Sequence, residues 1–247
     1  MKLFILCLVI FLTTSTGKAQ ILPKLVTEKL NAVPIFLLSD ENGSYLAIES
    51  PPPNQAEKVI SLFFTLAAAQ SFHKQLLATN LETARKVKVT TATLDAVYTR
   101  QLQEQSVSPS TVWRYVADSQ EVAAAQKLLA PDSTNKPQPD DVPLFAARTT
   151  KGYLTINQNG KTLIPIFFSF ADLQTSLAAL KRQSPFLAFV AQIQVLPLKS
   201  VLESLTTDAA LSAGKIIFTP FPDAYEPLKL IPATAKPTKT PVKKTPK

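Results

Sequence analysis

The chain has 247 residues, 46% of them hydrophobic and 18% charged, which is enough apolar material for a buried core and too little charge for a disordered protein. Five glycines against twenty prolines argue against glycine-rich phosphate loops, and the formal net charge of +8 is concentrated at the chain ends. Setting aside two leader lysines and five in the last fifteen residues leaves about +1, so a near-neutral body offers no extended basic face and no nucleic-acid partner is expected.

Residues 1–19 read as a signal peptide. Lys2 supplies the positive start, Leu3 to Leu12 the apolar run, and Gly17 and Ala19 the small residues before a cut ahead of Gln20. The apolar run is well short of the ~20 residues a spanning helix needs, which sets a membrane anchor second to export. Cys7 is the only cysteine and leaves with the leader, so the exported chain has neither disulfide nor thiol nucleophile. Residues 20–32 follow as an N-terminal helical segment, with Leu22, Leu25 and Leu30 spaced to pack on the body.

The body repeats itself. Val33-Pro34-Ile35-Phe36 and Tyr45-Leu46-Ala47-Ile48 recur as Val142-Pro143-Leu144-Phe145 and Tyr153-Leu154-Thr155-Ile156. Ile60-Ser61-Leu62-Phe63-Phe64 recurs as Ile164-Pro165-Ile166-Phe167-Phe168, and Val87-Lys88-Val89 as Ile193-Gln194-Val195. Four blocks in one order, each followed by matching helical stretches, indicate an internal duplication. Asn42-Gly43 and Asn159-Gly160 mark turns between strands. The run from Ile60 to Leu66 is apolar on both faces, as expected of a central, doubly covered strand. Asp172 to Arg182 reads as a helix with an acidic start, a basic end and a stripe of Leu173, Leu177 and Leu180. A helix from Leu94 to Gln101 is matched by one from Leu198 to Leu205, and Thr111 to Val116 by a strand from Lys215 to Thr219.

The expected fold class is therefore α/β with mixed sheets. Each half runs strand-strand-strand-helix-strand-helix-strand, over 33–129 and 142–232, with a Pro- and Asp-rich linker at 130–141. The Lys-Pro-Thr segment 233–247 has almost no apolar residue and is expected to be a disordered tail. It serves either as a solubilising linker or as a weak contact to an anionic surface.

These blocks together resemble the Tic22-like family. The resemblance rests on the Val-Pro-Ile-Phe and Val-Pro-Leu-Phe pair, on Lys151-Gly152-Tyr153-Leu154-Thr155-Ile156, on Ile164-Pro165-Ile166-Phe167-Phe168 and on Gln192-Ile193-Gln194-Val195-Leu196-Pro197-Leu198, and it spans about residues 28 to 220. The family comprises soluble subunits of the chloroplast protein-import machinery and their cyanobacterial relatives. The resemblance implies a two-lobed, pseudo-symmetric module with exposed apolar pockets and a chaperone-like role in protein transport. For the cyanobacterial branch, to which the bacterial-style signal points, it implies the periplasm or thylakoid lumen and outer-membrane biogenesis. The Lys-Pro tail is not part of that pattern.

No catalytic constellation is legible. His73 is the only histidine, whereas a zinc site needs three or four ligands. Asp140-Asp141 lies in the linker with no partner acid in view, and no serine sits in a Gly-x-Ser-x-Gly elbow. Neither catalysis nor a metal or other cofactor is expected. The residues that could bind a partner are the repeated aromatics Phe36, Tyr45, Phe63, Phe64, Phe145, Tyr153, Phe167 and Phe168. Neighbours on a strand face opposite sides, so either helices cover both faces or one face stays open as an apolar pocket for client polypeptides. The expected function is ATP-independent holding of unfolded or precursor proteins, with an outer-membrane assembly factor as a further partner. The alternative is a structural adaptor for a membrane-assembly or translocon protein.

Overall fold

The computed structural model describes residues 22–49, 57–105, 110–129, 141–207 and 215–225. The signal peptide, the tail, the Pro51-Pro52-Pro53 stretch and all of the linker but Asp141 lie outside the described residues. The first half comprises α1 (Lys24–Leu30), β1 (Pro34–Ser39), β2 (Ala47–Glu49), β3 (Lys58–Phe63), α2 (Leu66–Thr79), α3 (Leu81–Arg85), β4 (Lys88–Thr93), α4 (Leu94–Gln105), β5 (Thr111–Val116) and α5 (Ser119–Leu128). The second comprises β6 (Pro143–Thr149), β7 (Gly152–Tyr153), β8 (Ile156–Gln158), β9 (Lys161–Phe167), α6 (Phe170–Gln183), α7 (Pro185–Val190), β10 (Gln192–Pro197), α8 (Leu198–Thr207), β11 (Ile216–Thr219) and a closing 3-10 turn, Pro222–Tyr225. Each half thus contains one short helix, α3 or α7, beyond the expected order; the first half also closes with the helix expected after Trp113-Arg114-Tyr115, α5, and the second has one extra short strand.

The two sheets share a strand order. β1 lies antiparallel between β4 and β3, and β3 runs parallel to β5. Likewise β6 lies between β10 and β9, and β9 runs parallel to β11. In both sheets the two inner strands touch at a single Phe pair, Phe36–Phe63 and Phe145–Phe167, before a short strand takes over, β2 or β8. The Asn159-Gly160 turn leads from β8 into β9 with φ of 52° and 74°, the two left-handed positions that a tight hairpin turn demands.

Helix starts follow local chemistry. Thr65 ends β3's run two residues past Phe63, because its Oγ1 accepts the Ala68 N–H at 3.3 Å and opens α2; Ser169 does the same for Asp172 N–H at 3.2 Å and opens α6. The strand expected to reach Leu66 therefore stops at Phe63. In α1, Val26 and Leu30 are buried but Leu25 turns outward, a correction to the expected Leu22-Leu25-Leu30 stripe. Val26 and Leu30 stand four apart on one helical face, where Leu25 cannot join them.

Three layers of core result. The central one joins Ile35, Leu37, Leu62 and Phe64 of the first sheet to Leu144, Ile166, Phe168 and Phe218 of the second, with α1, α4 and α8 packed among them. The outer face of the first sheet is covered by α2 and α3, and that of the second by α6. Each half also closes on its partner: Ala125 of α5 packs on the second sheet, and Ala224 of the 3-10 turn packs on the first.

Candidate functional site

The structure places six of the eight expected binding aromatics inside the protein. Phe36, Phe63, Phe64, Phe145, Phe167 and Phe168 are each 6% exposed or less. Phe36 and Phe63 lie under α2; Phe145 and Phe167 lie under α6 and α5. Phe64 and Phe168 meet in the central core with ring centroids 4.9 Å apart. Helices therefore cover both faces at these positions, and none of the six offers a surface to a client in this fold. Tyr45 is half-buried, and Tyr153 is exposed at the edge of an apolar cavity.

That cavity, of about 200 Å³, lies between the inner face of the second sheet and α8. Its walls are chiefly Ala146, Tyr153, Ile164, Val201, Ser204 and Ile216, and Ser204 turns its hydroxyl back to the Ser200 carbonyl at 2.8 Å. The wall is consequently almost wholly apolar. Its origin is visible in the first half. Trp113 pairs with Ile60 on β3 as Ile216 pairs with Ile164 on β9, so the indole occupies the place of Ile216. By the same alignment Leu37 stands where Ala146 does, Arg100 where Ser204 does, and Tyr45 where Tyr153 does. Tyr45 meets Trp113 edge-on at 6.0 Å, and the Arg100 guanidinium lies over the Tyr45 ring at 4.4 Å, steered by a 2.8 Å bond to Glu104. The first half is filled; the second, with an isobutyl, an indole and an arginine exchanged for smaller groups, leaves a hollow with Tyr153 at its edge.

A second apolar feature is α7. None of its residues is buried, and Phe186 and Phe189 are 78% and 85% exposed. Sequence reasoning left residues 183–191 without an element. The available signal was the run Pro185-Phe186-Leu187-Ala188-Phe189-Val190, set where the first half has Leu81-Glu82-Thr83-Ala84-Arg85-Lys86.

Of the polar groups set aside above, His73 has a defined role in the fold. His73 Nε2 lies 3.0 Å from the Ala84 carbonyl, which only accepts, so this nitrogen carries the proton and ties α2 to α3. Asp141 precedes β6, and Asp140 is outside the described residues. Glu121 accepts the Phe170 N–H at 2.8 Å, and burial chiefly raises its pKa above the ordinary carboxylate range, with Asp118 and Asp172 adding to the shift. Among the described residues, no group of three or more His, Cys, Asp or Glu side chains converges on a metal-sized space, and no helix is long and apolar enough to cross a membrane.

This arrangement matches known proteins. The sequence profile of the Tic22-like family covers residues 12–226. The chain belongs to the Tic22-like family. Protein TIC 22, chloroplastic, of Arabidopsis thaliana is 26% identical over 208 residues, 84% of this chain and 71% of that protein. The protein of the same name from Pisum sativum is 23% identical over 203 residues, 82% and 75% of the two chains. Among solved structures, Anabaena Tic22, described as a protein of protein transport, superposes with a TM-score of 0.69 at 27% identity, covering 84% of this chain and 96% of that one. Tic22 from Plasmodium falciparum shares the fold, with a TM-score of 0.65 at 19% identity over 83% and 96%. In this Tic22-like chain, both the cavity and the exposed phenylalanine pair belong to the second half.

Proposed function

We propose that this Tic22-like protein is a non-enzymatic, chaperone-like factor in protein transport and outer-membrane biogenesis. It holds unfolded or precursor polypeptides without ATP, by taking an apolar side chain of the client into the cavity beneath α8. The observation that carries this reading is the cavity itself, an apolar hollow edged by exposed Tyr153 at the place where Trp113, Leu37 and Arg100 fill the other half. A fold that closes this space in one half and leaves it empty in the other gives up packing that it has the means to make. The description of the Anabaena relative as a protein-transport protein supports the cellular role, and the bacterial-style leader supports export to the periplasm or thylakoid lumen. On this reading residues 1–19 are removed, the halves 33–129 and 142–232 form one two-lobed, pseudo-symmetric module, and an outer-membrane assembly factor receives the client.

The test is suppression of aggregation of an unfolded outer-membrane β-barrel by residues 20–247, without ATP. Equimolar protein is expected to suppress aggregation. The variant Ala146→Leu/Ile216→Trp, which installs the first half's residues, is expected to need about ten times more protein while unfolding no earlier, because filling a cavity restores lost contacts. Full activity of the filled variant would remove the cavity from the mechanism. No suppression by the native chain at any ratio would overturn the holding role and leave a structural adaptor.

A further inference from the structure

The phenylalanine pair of α7 is not required by the fold. α2 and α6 have the same length, are opened by equivalent caps, and end on Asn80 and Ser184, whose backbone angles agree within one degree at φ −145° and ψ 77° or 76°. The short helices that follow are therefore equivalent position by position. Phe186 stands where Glu82 does, Phe189 where Arg85 does, and Val190 where Lys86 does. In the first half these places carry solvated charge, with Glu82 3.9 Å from Lys86. The second half replaces charge with aromatic surface at two of the most exposed apolar positions among the described residues.

Charge is distributed to match. Over residues 142–232 the chain carries eight lysines and arginines against five acids, and up to Leu202 the one acid is Asp172, whereas residues 33–129 carry eight against nine. Topology gathers these bases. β6 ends at the edge where β10 begins, since Arg148 pairs with Gln192, two residues beyond α7. Lys151 sits in the turn after β6, and Lys181 and Arg182 occupy the last turn of α6, which hands directly to α7. The Leu77 and Ala78 positions of the first half correspond to Lys181 and Arg182. All four bases are exposed. Lys161, beside Lys29 and Glu28 of α1, opens β9 at the same end. Asp172 lies in the first turn of α6, about 15 Å from Arg182 along the helix. The near-neutral total of the body thus conceals one basic end, where the sequence reading expected no basic face.

We propose that this end of the second sheet docks on an anionic lipid bilayer, with Phe186 and Phe189 entering the acyl boundary and Arg148, Lys151, Lys181 and Arg182 meeting the headgroups. Exposed aromatics at an end that carries four exposed bases, with Glu28 of α1 the acid beside Lys29 there, are matched to such a surface, where the rings are desolvated and the bases find phosphate. A client chain or a second copy of this protein would supply no comparable sheet of negative charge.

The test is co-sedimentation of residues 20–247 with vesicles of phosphatidylglycerol and phosphatidylcholine in equal parts, against vesicles of phosphatidylcholine alone. Partition onto the anionic vesicles is expected. It should fall at least tenfold in Phe186→Glu/Phe189→Arg, which carries the first half's own residues and is checked for native circular dichroism, and at least tenfold in Lys181→Gln/Arg182→Gln. Fluorescence of Phe189→Trp should shift to the blue on the anionic vesicles only. Undiminished binding by the Phe186→Glu/Phe189→Arg variant would assign the contact to the lysine tail and overturn the proposal. It is equally overturned by absence of binding, by equal binding to neutral vesicles, or by self-association that depends on Phe186 without vesicle binding. None of these outcomes bears on the cavity.

Discussion

Glu121 joins elements from different halves: it sits on α5, and its carboxylate accepts the Phe170 N–H that begins α6. A helix N-terminus ordinarily favours the charged form, but here burial, and then Asp118 and Asp172, outweigh the bond from Phe170 and raise the pKa. A carboxyl whose pKa is higher folded than unfolded binds its proton more tightly in the native state, so native stability falls as pH rises through the window between the two values. The expected outcome is a midpoint of urea unfolding that declines from about pH 4 upward through the upper carboxylate range and then levels. Glu121→Gln keeps an acceptor for Phe170 and should flatten this decline, measured as urea midpoints across the same series. An unchanged profile in the variant would place the pH dependence on another group.

At the level of elements, the two long helices rest on matched caps. Thr65 and Ser169 each follow a buried Phe-Phe pair and turn strand into helix within two residues. Replacing either with Ala should cost about 1 kcal/mol by chemical denaturation, since one N–H of the first turn loses its acceptor. Ser169 is itself buried, so its loss should fall at the upper end of that range, and a Ser169→Thr variant should restore most of it. The short helices after α2 and α6 have opposite characters. α3 is polar and is held to α2 through His73, whereas α7 buries none of its residues. Substitutions at Phe186 and Phe189 should accordingly leave the unfolding midpoint nearly unchanged.

Over the whole molecule, the halves are not independent units. Their sheets share a central core, and Ala125 and Ala224 each complete the outer cover of the other half's sheet. Tyr225 adds a 3.1 Å bond to the Ala32 carbonyl, between opposite ends of the described chain. Unfolding is therefore expected to be a single transition. Trp113, the only tryptophan, reports on the first half, and far-UV circular dichroism reports on both. Phe168→Ala removes a ring that touches Phe64, Phe218 and Phe221. It should destabilise by about 3–5 kcal/mol and shift both probes together, although the substitution is in the second half. A Trp113 transition left at its native midpoint would show that the first half folds by itself.

The recurring blocks, the chain order of strands and helices and the apolar run from Ile60 expected to be a central strand were legible in the sequence, because periodicity and block order depend on local pattern and on duplication. Val33 to Phe36 and Val142 to Phe145 each announced a strand, as did the runs through Phe63 and Phe167, but that these strands lie side by side is known only from their pairing. What covers each face was not legible, since alternation along a strand assigns a side chain to a side and says nothing of what packs there. Tertiary structure alone put Phe36 and Phe145 under helices, joined Phe64 to Phe168, and left Tyr153 beside a hollow. That hollow depends on comparing Trp113 with Ile216, Leu37 with Ala146 and Arg100 with Ser204, and these pairs become comparable only once strand register fixes which residues share a place. Composition likewise determined a nearly neutral body, but only the fold decided that its bases and two bare phenylalanines meet at one end, because charge adds along a chain without regard to position while surfaces are assembled from residues distant in sequence.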